Sequence, residues 1–207
     1  MRTVGHARRP LDRLFSNSSH IAILRALQDS RQGLSGRGIS RQAGINHQAG
    51  AIALKNLEAL GVVERHGGGK TQLVHLNFES RLVKDLVLPL LRSEKTLLKD
   101  TLRDIAHHFD HGAMTITLFG SVARGQDVLG SDMDVLFVAR GTNKNALLQD
   151  AAGYCSGFTK IFGIRLSPIV WTPKEVQEKS REKNRLLQNI LSDGVDLLPK
   201  KLREILE

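Results

Sequence analysis

Two short stretches in the second half of the chain carry residues whose types and spacing suit phosphate chemistry. The first is Gly120-Ser121-Val122-Ala123-Arg124-Gly125, which follows the β-prone run Met114-Thr115-Ile116-Thr117-Leu118-Phe119. The second is Ser131-Asp132-Met133-Asp134, which runs on into Val135-Leu136-Phe137-Val138. Ten residues separate Ser121 from Asp132. Side chains two apart on a strand point to one face, so Asp132 and Asp134 are predicted to project side by side. That arrangement repels itself unless a cation sits between the carboxylates. Mg2+ (or Mn2+) suits it, because the hard ion takes one or two carboxylates and completes its shell with phosphate oxygens. A strand ending in Gly-Ser before a short helix places backbone N–H groups and a hydroxyl near incoming phosphates. Arg124 can add a charge-assisted bond to a triphosphate. Together these parts describe magnesium-assisted attack on a nucleoside triphosphate, with pyrophosphate as the leaving group.

The elements around these stretches read as an α/β domain over 112–207. The apolar positions Leu147, Leu148, Ala151, Ala152, Cys155 and Phe158 make a helical stripe after the second strand. Cys155 belongs to that stripe as a core residue more readily than as a nucleophile. A third strand is expected over Ile164 to Trp171, then a helix capped by Thr172 with Pro173 at its first position. Leu186 to Leu191 form a last apolar helix ended by Gly194. Lys179, Arg181, Lys183 and Arg185 are read as a solvated face, with an acceptor-binding patch as the alternative.

Phe119-Gly120-Ser121, the ten-residue gap and Asp132-Met133-Asp134-Val135 resemble the signature of the polymerase-β-like nucleotidyltransferases. The longer stretch through Gly125, with Ser131 to Asp134, looks like the small prokaryotic members, the minimal nucleotidyltransferases, with the kanamycin nucleotidyltransferases as relatives. The resemblance covers roughly residues 95–195. It implies that Gly120, Ser121, Arg124 and Ser131 contact the nucleotide and that Asp132 and Asp134 are the catalytic, metal-holding pair. It also implies transfer of a nucleoside monophosphate, ATP being the expected donor, to an unknown acceptor hydroxyl, in a toxin–antitoxin or defence setting. Family members often carry a third carboxylate on a later strand. Ile164-Arg165-Leu166-Ser167-Pro168-Ile169-Val170-Trp171 contains none, and Ser167 or a neighbour stands in the expected place. Glu175 and Glu178 are poor substitutes by position. A transcriptional regulator whose degenerate transferase domain senses nucleotide without catalysis is therefore the alternative reading.

The first third of the chain has a different character. Residues 1–76 hold 11 Lys+Arg against 4 Asp+Glu, whereas 77–207 hold 19 against 17, so most of the net +9 belongs to the N-terminal part. Such asymmetry points to a polyanion partner, or to a solvated basic face. Ser18 and Ser19 offer an N-cap before Ile21, Ile23, Leu24 and Leu27. Leu34 to Ala43 reads as a second helix opened by Ser35, and Asn46 caps a third that ends at Gly61. Val62 to His66 and Lys70 to Leu76 flank three glycines and make a hairpin. Three helices and a glycine-tipped hairpin are the plan of a winged helix-turn-helix, whose turn often holds a glycine, here Gly44. Leu57 to Arg65 resembles the end of the recognition helix and the first wing strand of bacterial winged-helix transcriptional regulators, over roughly 18–77.

If Ile52, Leu57 and Leu60 point inward, then His47, Gln48, Ala51 and Lys55 point outward toward base edges of double-stranded DNA. Arg37, Arg41, Arg65 and Lys70 are the expected backbone contacts. A homodimer is expected, since dimers read two half-sites. A winged helix used only for protein contacts is the alternative.

The expected organisation is thus α+β: residues 1–77 as the DNA-binding domain, 78–111 as a helical connector, and 112–207 as the transferase-like domain with a small mixed sheet. Pro89 should kink or split the connector. His107, His108 and His111 near its end are read as surface rather than metal ligands. The apolar run Leu86 to Leu91 contains Pro89 and falls far short of the ~20 residues a membrane-spanning helix needs. No apolar segment follows the basic start, so no secretory signal is read there. The single cysteine, Cys155, excludes an intramolecular disulfide framework and a multi-cysteine zinc site. A cytoplasmic location is expected.

Overall fold

Helix caps set the elements of the first half. A computed structural model describes residues 8–69, 72–141 and 143–207. After the short helix α1 (Pro10–Leu14) come α2 (Ser18–Gln28), α3 (Gly36–Gln42) and α4 (His47–Ala59). The Ser35 hydroxyl accepts from the Gly38 N–H at 3.1 Å, and the Asn46 side chain accepts from the Ala49 N–H at 2.7 Å. Both caps are where the sequence placed them. At α2 the cap is Asn17, not Ser18 or Ser19: its side chain accepts from the Ser19 N–H at 2.8 Å. Asn and Ser cap about equally well, and the earliest residue of the run takes the role. Leu34 is not helical but forms an antiparallel bridge to Val74, which ties the segment before α3 to the hairpin of β1 (Val63–His66) and β2 (Leu73–Leu76).

The chain divides into two compact units, Met1–Thr96 and Leu97–Glu207. The core of the first gathers Ile23, Leu24 and Leu27 from α2, Ile39 from α3, Ala53, Leu54 and Leu57 from α4, and Val74 and Leu76 from β2. One expectation about α4 is corrected. Ile52 is 56% exposed, and the buried face is Gly50, Ala53, Leu54 and Leu57. At about 100° per residue, Ile52 lies on roughly the opposite side of the helix from that stripe. Gly50 is where α3 comes closest, since a Cβ there would lie 2.4 Å from Ser40 Oγ.

The segment expected as a connector is shared. Val83, Val87 and Leu91 belong to the core of the first unit, and Ile105 and Phe109 to that of the second. Arg25 pairs with Glu94, and Lys95 with Asp29, within the first unit. Pro89 neither splits nor stops the helix. It is the second residue of α5 (Leu88–Phe109), directly after a π-helical turn, Val83–Val87. The wider turn falls where the proline's missing N–H and its ring disturb the ordinary ladder.

The second unit is built on a four-stranded mixed sheet in the order β5-β4-β3-β6, comprising β3 (Ala113–Phe119), β4 (Met133–Ala139), β5 (Leu166–Trp171) and β6 (Val195–Asp196). β4 and β5 are parallel, and the other pairs are antiparallel. The mixed α+β architecture with small sheets is as expected. Pro168 is tolerated because β5 is an edge strand. A one-turn helix α6 (Gly120–Ala123) follows β3, and α7 (Lys144–Phe162) joins β4 to β5. Then come α8 (Pro173–Arg181), α9 (Arg185–Asp193) and a closing 3-10 turn, Leu202–Ile205.

Strand alternation sorts the buried residues. Ile116, Leu118, Val135 and Phe137 face α5 and α7. Phe119, Leu136, Val138 and Trp171 face Val176 of α8 and Leu187 and Ile190 of α9. On α7 the buried positions are Leu147, Ala151 and Phe158, while Leu148 and Ala152 are exposed. Cys155 is half-buried, and burial pushes its thiol pKa up. Among the described residues, no helix is long and apolar enough to cross a membrane.

Candidate functional site

Three strand ends and the turn of α6 converge on the sheet face that packs against α8 and α9. β3 delivers Gly120 at its end, in the left-handed region (φ 78°). A Cβ at Gly120 would lie 2.4 Å from Oδ2 of Asp134, so the Gly-Ser turn and the second aspartate pack as closely as a glycine permits. Asp134 is in register with Phe119 on one side and with Ser167 on the other. It therefore shares the face of Phe119, Leu136 and Val138. Asp134 enters no side-chain hydrogen bond or ion pair among the described residues.

Asp132 stands one residue before β4. The Met133 N–H donates to the Arg165 carbonyl at 2.8 Å, which extends the parallel register back so that Asp132 and Arg165 lie side by side. Their side chains form a two-pronged pair. Arg165 Nε donates to Oδ1 at 2.8 Å, and Nη2 donates to Oδ2. The guanidinium holds the Asp132 carboxyl below its usual range. The aspartate side chain is 28% exposed and the arginine 72%.

The other residues singled out in the sequence fall around this centre with different degrees of freedom. Ser121 is half-buried on the turn of α6. Arg124 ends that turn, donating from Nε to Gln126 Oε1 at 3.0 Å and lying 3.6 Å from Asp193 Oδ2. Ser131 spends its hydroxyl on the loop, accepting from the Val128 N–H at 2.9 Å. β5 carries no acid. Glu175 is committed elsewhere: with Thr172 it forms a capping box at α8, and it accepts from Lys144 Nζ at 2.5 Å. Those bonds, the Lys144 one foremost, hold the Glu175 pKa down. Glu178 pairs with Lys174. Among the described residues no group of three or more metal-ligating side chains occurs. His108 and His111 instead pair with Asp150 and Asp110.

Sequence reading missed Arg165, and Asp193 as the partner of Arg124. The alternation along Ile164 to Trp171 does put Arg165 and Ser167 on one face. Which aspartate each would meet depends on strand register, which is not a local property of the sequence.

The residues proposed for DNA lie in the first unit. His47, Gln48, Ala51 and Lys55 are exposed along one stripe of α4, and Ile52 joins them. Arg37 and Arg41 are exposed on α3 and make no side-chain bond among the described residues. Arg65 is not free: it pairs with Glu58 at 3.0 Å and donates to Gln72 at 3.1 Å. Lys70 lies outside the described residues.

The nucleotidyltransferase domain family matches residues 99–205, more than half of the chain. The chain is 33% identical over 89 residues to a protein of Methanocaldococcus jannaschii named as a protein adenylyltransferase. That match covers 41% of this chain and 58% of the relative. No solved structure matches the chain. The turn at Gly120, the aspartate stacked on it and the family match over the same unit lead to one statement: the chain belongs to the nucleotidyltransferase domain family.

Proposed function

We propose that the C-terminal unit transfers a nucleoside monophosphate from a nucleoside triphosphate to an acceptor hydroxyl, and that the N-terminal unit is a winged helix-turn-helix that binds double-stranded DNA. The observation that carries the first part is the packing of Asp134 on Gly120. It brings a carboxylate that makes no side-chain hydrogen bond or ion pair among the described residues onto the turn whose Ser121 hydroxyl and backbone would receive phosphate. ATP is the leading donor and a protein hydroxyl the leading acceptor, in line with the name of the archaeal relative.

The donor set fits Mg2+. Asp132 and Asp134 occupy alternate positions on one face, and two carboxylates leave the remaining positions to phosphate oxygens and water. Bound there, the ion would neutralise charge on the triphosphate and on the departing pyrophosphate. Arg124, held by Asp193 and Gln126, presents its cation beside the same turn. With no acid on β5, the acceptor's proton passes to water. A general base is worth about 10²–10⁴-fold, so turnover is expected to be slow by that measure.

The same observations favour a second reading, nucleotide binding without turnover. Labelled NTPs with Mg2+, offered protein, RNA and small-molecule acceptors, separate the two. Product that disappears in Asp132→Ala and Asp134→Ala variants supports the transferase. Binding without pyrophosphate release on any acceptor supports the sensor.

For the DNA-binding part, the support is the exposed stripe of α4 and the net +7 of residues 1–76. Gln48 is suited to adenine, Ala51 and Ile52 to a thymine methyl, and Lys55, Arg37 and Arg41 to phosphates. A steep salt dependence of a specific complex would mark phosphate contacts, because each releases counterions. Binding of no duplex above background would remove this half of the proposal.

A further inference from the structure

We infer that Arg165 is a positioning residue that competes with the divalent ion for Asp132 and so makes ion binding depend on a nucleotide arriving with it. The inference rests on the reading of Asp132 and Asp134 as the ion-holding pair. Three features of the structure carry it.

Arg165 takes both oxygens of Asp132 through two nitrogens in the fork geometry that suits a carboxylate. An ion that approaches Asp132 from the same side therefore competes with it. The backbones of the two residues are fixed beside each other by the bond from the Met133 N–H to the Arg165 carbonyl, so the exchange needs only a side-chain movement. The arginine side chain is 72% exposed against 28% for the aspartate, which makes the arginine the partner free to swing away while the aspartate stays at the head of β4.

Charge decides which ligand displaces the arginine. The guanidinium forks onto one carboxylate and reaches Asp134 beside it only through space, with no hydrogen bond. A bare divalent ion gains Asp132 and Asp134 but puts two positive charges next to a cation that has just lost its partner. An ion carrying a triphosphate brings the anion that the displaced guanidinium needs. Arg165 is planar, always charged and suited to phosphate as well as carboxylate, so it can exchange one oxyanion for another without leaving the face it shares with Ser167. The prediction is a positive coupling between ion and nucleotide, and such coupling is reciprocal. No carboxylate of β5 takes part. The arginine stands one residue before the strand where the family's additional acid is looked for.

The test measures Mn2+ binding by the loss of the free-ion electron paramagnetic resonance signal. It is run with and without an ATP analogue that has a methylene bridge between its α and β phosphorus atoms. In the unaltered protein the analogue should tighten Mn2+ binding. Arg165→Ala should bind Mn2+ alone about fivefold more tightly and lose most of the tightening by the analogue. Arg165→Lys, which keeps the charge without the fork, should fall between.

Unchanged Mn2+ affinity and unchanged coupling in Arg165→Ala would overturn the inference. If Asp132→Asn and Asp134→Asn bind Mn2+ and the analogue like the unaltered protein, it is the reading of the carboxylates that fails. Loss of binding in those two variants with no effect in Arg165→Ala leaves that reading standing and removes Arg165 alone.

Discussion

Replacing Gly120 by alanine tests whether the packing of the turn against Asp134 matters for nucleotide binding or only for the fold. Two separate costs are expected. The first is backbone strain: Gly120 has φ 78°, and a residue with a Cβ in the left-handed region costs about 1–2 kcal/mol. For a unit of about a hundred residues that lowers Tm by roughly 5–15 °C. The second cost is local. The new Cβ would lie 2.4 Å from Asp134 Oδ2, 3.3 Å from its Cγ and 3.4 Å from its Cβ. The carboxylate must move, and a displaced ligand group should weaken Mg–ATP binding by about 10- to 100-fold.

Gly125 supplies the control. Its φ is 63°, yet a Cβ there meets nothing within 4 Å. Gly125→Ala should lower the melting temperature by a similar amount and leave nucleotide affinity alone. Calorimetric titration with Mg–ATP, performed well below both melting temperatures, separates the effects. If Gly120→Ala binds Mg–ATP as tightly as the unaltered protein, or if Gly125→Ala weakens binding equally, the reasoning from close packing to function is refuted.

Three further outcomes follow from the geometry. Gly50→Ala would ordinarily gain about 1 kcal/mol in a helix interior, but its Cβ would lie 2.4 Å from Ser40 Oγ. A stability loss in urea is expected, relieved when Ser40→Ala is added. If the first unit binds DNA as proposed, Lys55→Ala should flatten the slope of log affinity against log salt by about 0.9. Gln48→Ala should instead relax preference at one base pair at a cost of about 1–3 kcal/mol. Arg65→Ala should change the slope least, because Glu58 already pairs with Arg65; filter binding across a salt series checks the two slopes, and the same assay on duplexes with single base-pair changes checks Gln48. At α8, Lys144 and the Thr172 cap lower the Glu175 pKa, so its contribution is complete above the ordinary carboxylate range, about pH 4. It is lost as pH falls through the lower folded value. Glu175→Gln should therefore destabilise the protein at neutral pH, with the difference closing in acid, as urea melts at several pH values would show.

What the sequence disclosed and what it hid differ in range. Ser35, Asn46 and Thr172 were readable as caps because a cap bonds to an N–H two or three residues away. The error at Asn17 lies in the same local game, where three adjacent residues cap about equally well. Ile52 was misplaced for another reason. Ala49, Ile52 and Ala53 offer one apolar stripe, and Gly50, Ala53, Leu54 and Leu57 another. The packing of α2, α3 and the hairpin against α4, with Ser40 close to Gly50, selects the second. Asp132 and Asp134 were legible as a pair, since alternation along a strand is a property of two residues. Their surroundings were not: that Arg165 meets Asp132, that Ser167 meets Asp134 and that Asp193 reaches Arg124 all depend on register and helix packing across 30 or more positions.

The lack of an acid on β5, with Arg165 one residue before it, also bears on how the two units would serve one protein. A site with two carboxylates and one arginine carries less negative charge than one with three carboxylates, and its carboxylates are already half neutralised by Arg165. On the coupling proposed above, such a site would hold a bare ion weakly and respond to nucleotide. In a chain whose other unit carries the excess positive charge, that response makes sense if nucleotide occupancy is itself the signal. A transferase built for rate would be expected to carry an acid near position 165 or 167. Ser167→Asp, placed beside Asp134 by the β4–β5 register, therefore decides the matter. If it raises pyrophosphate release by the 10²–10⁴-fold of a supplied general base, the site is a complete transferase lacking one group. If it only tightens Mn2+ binding without turnover, the site is organised for occupancy rather than chemistry.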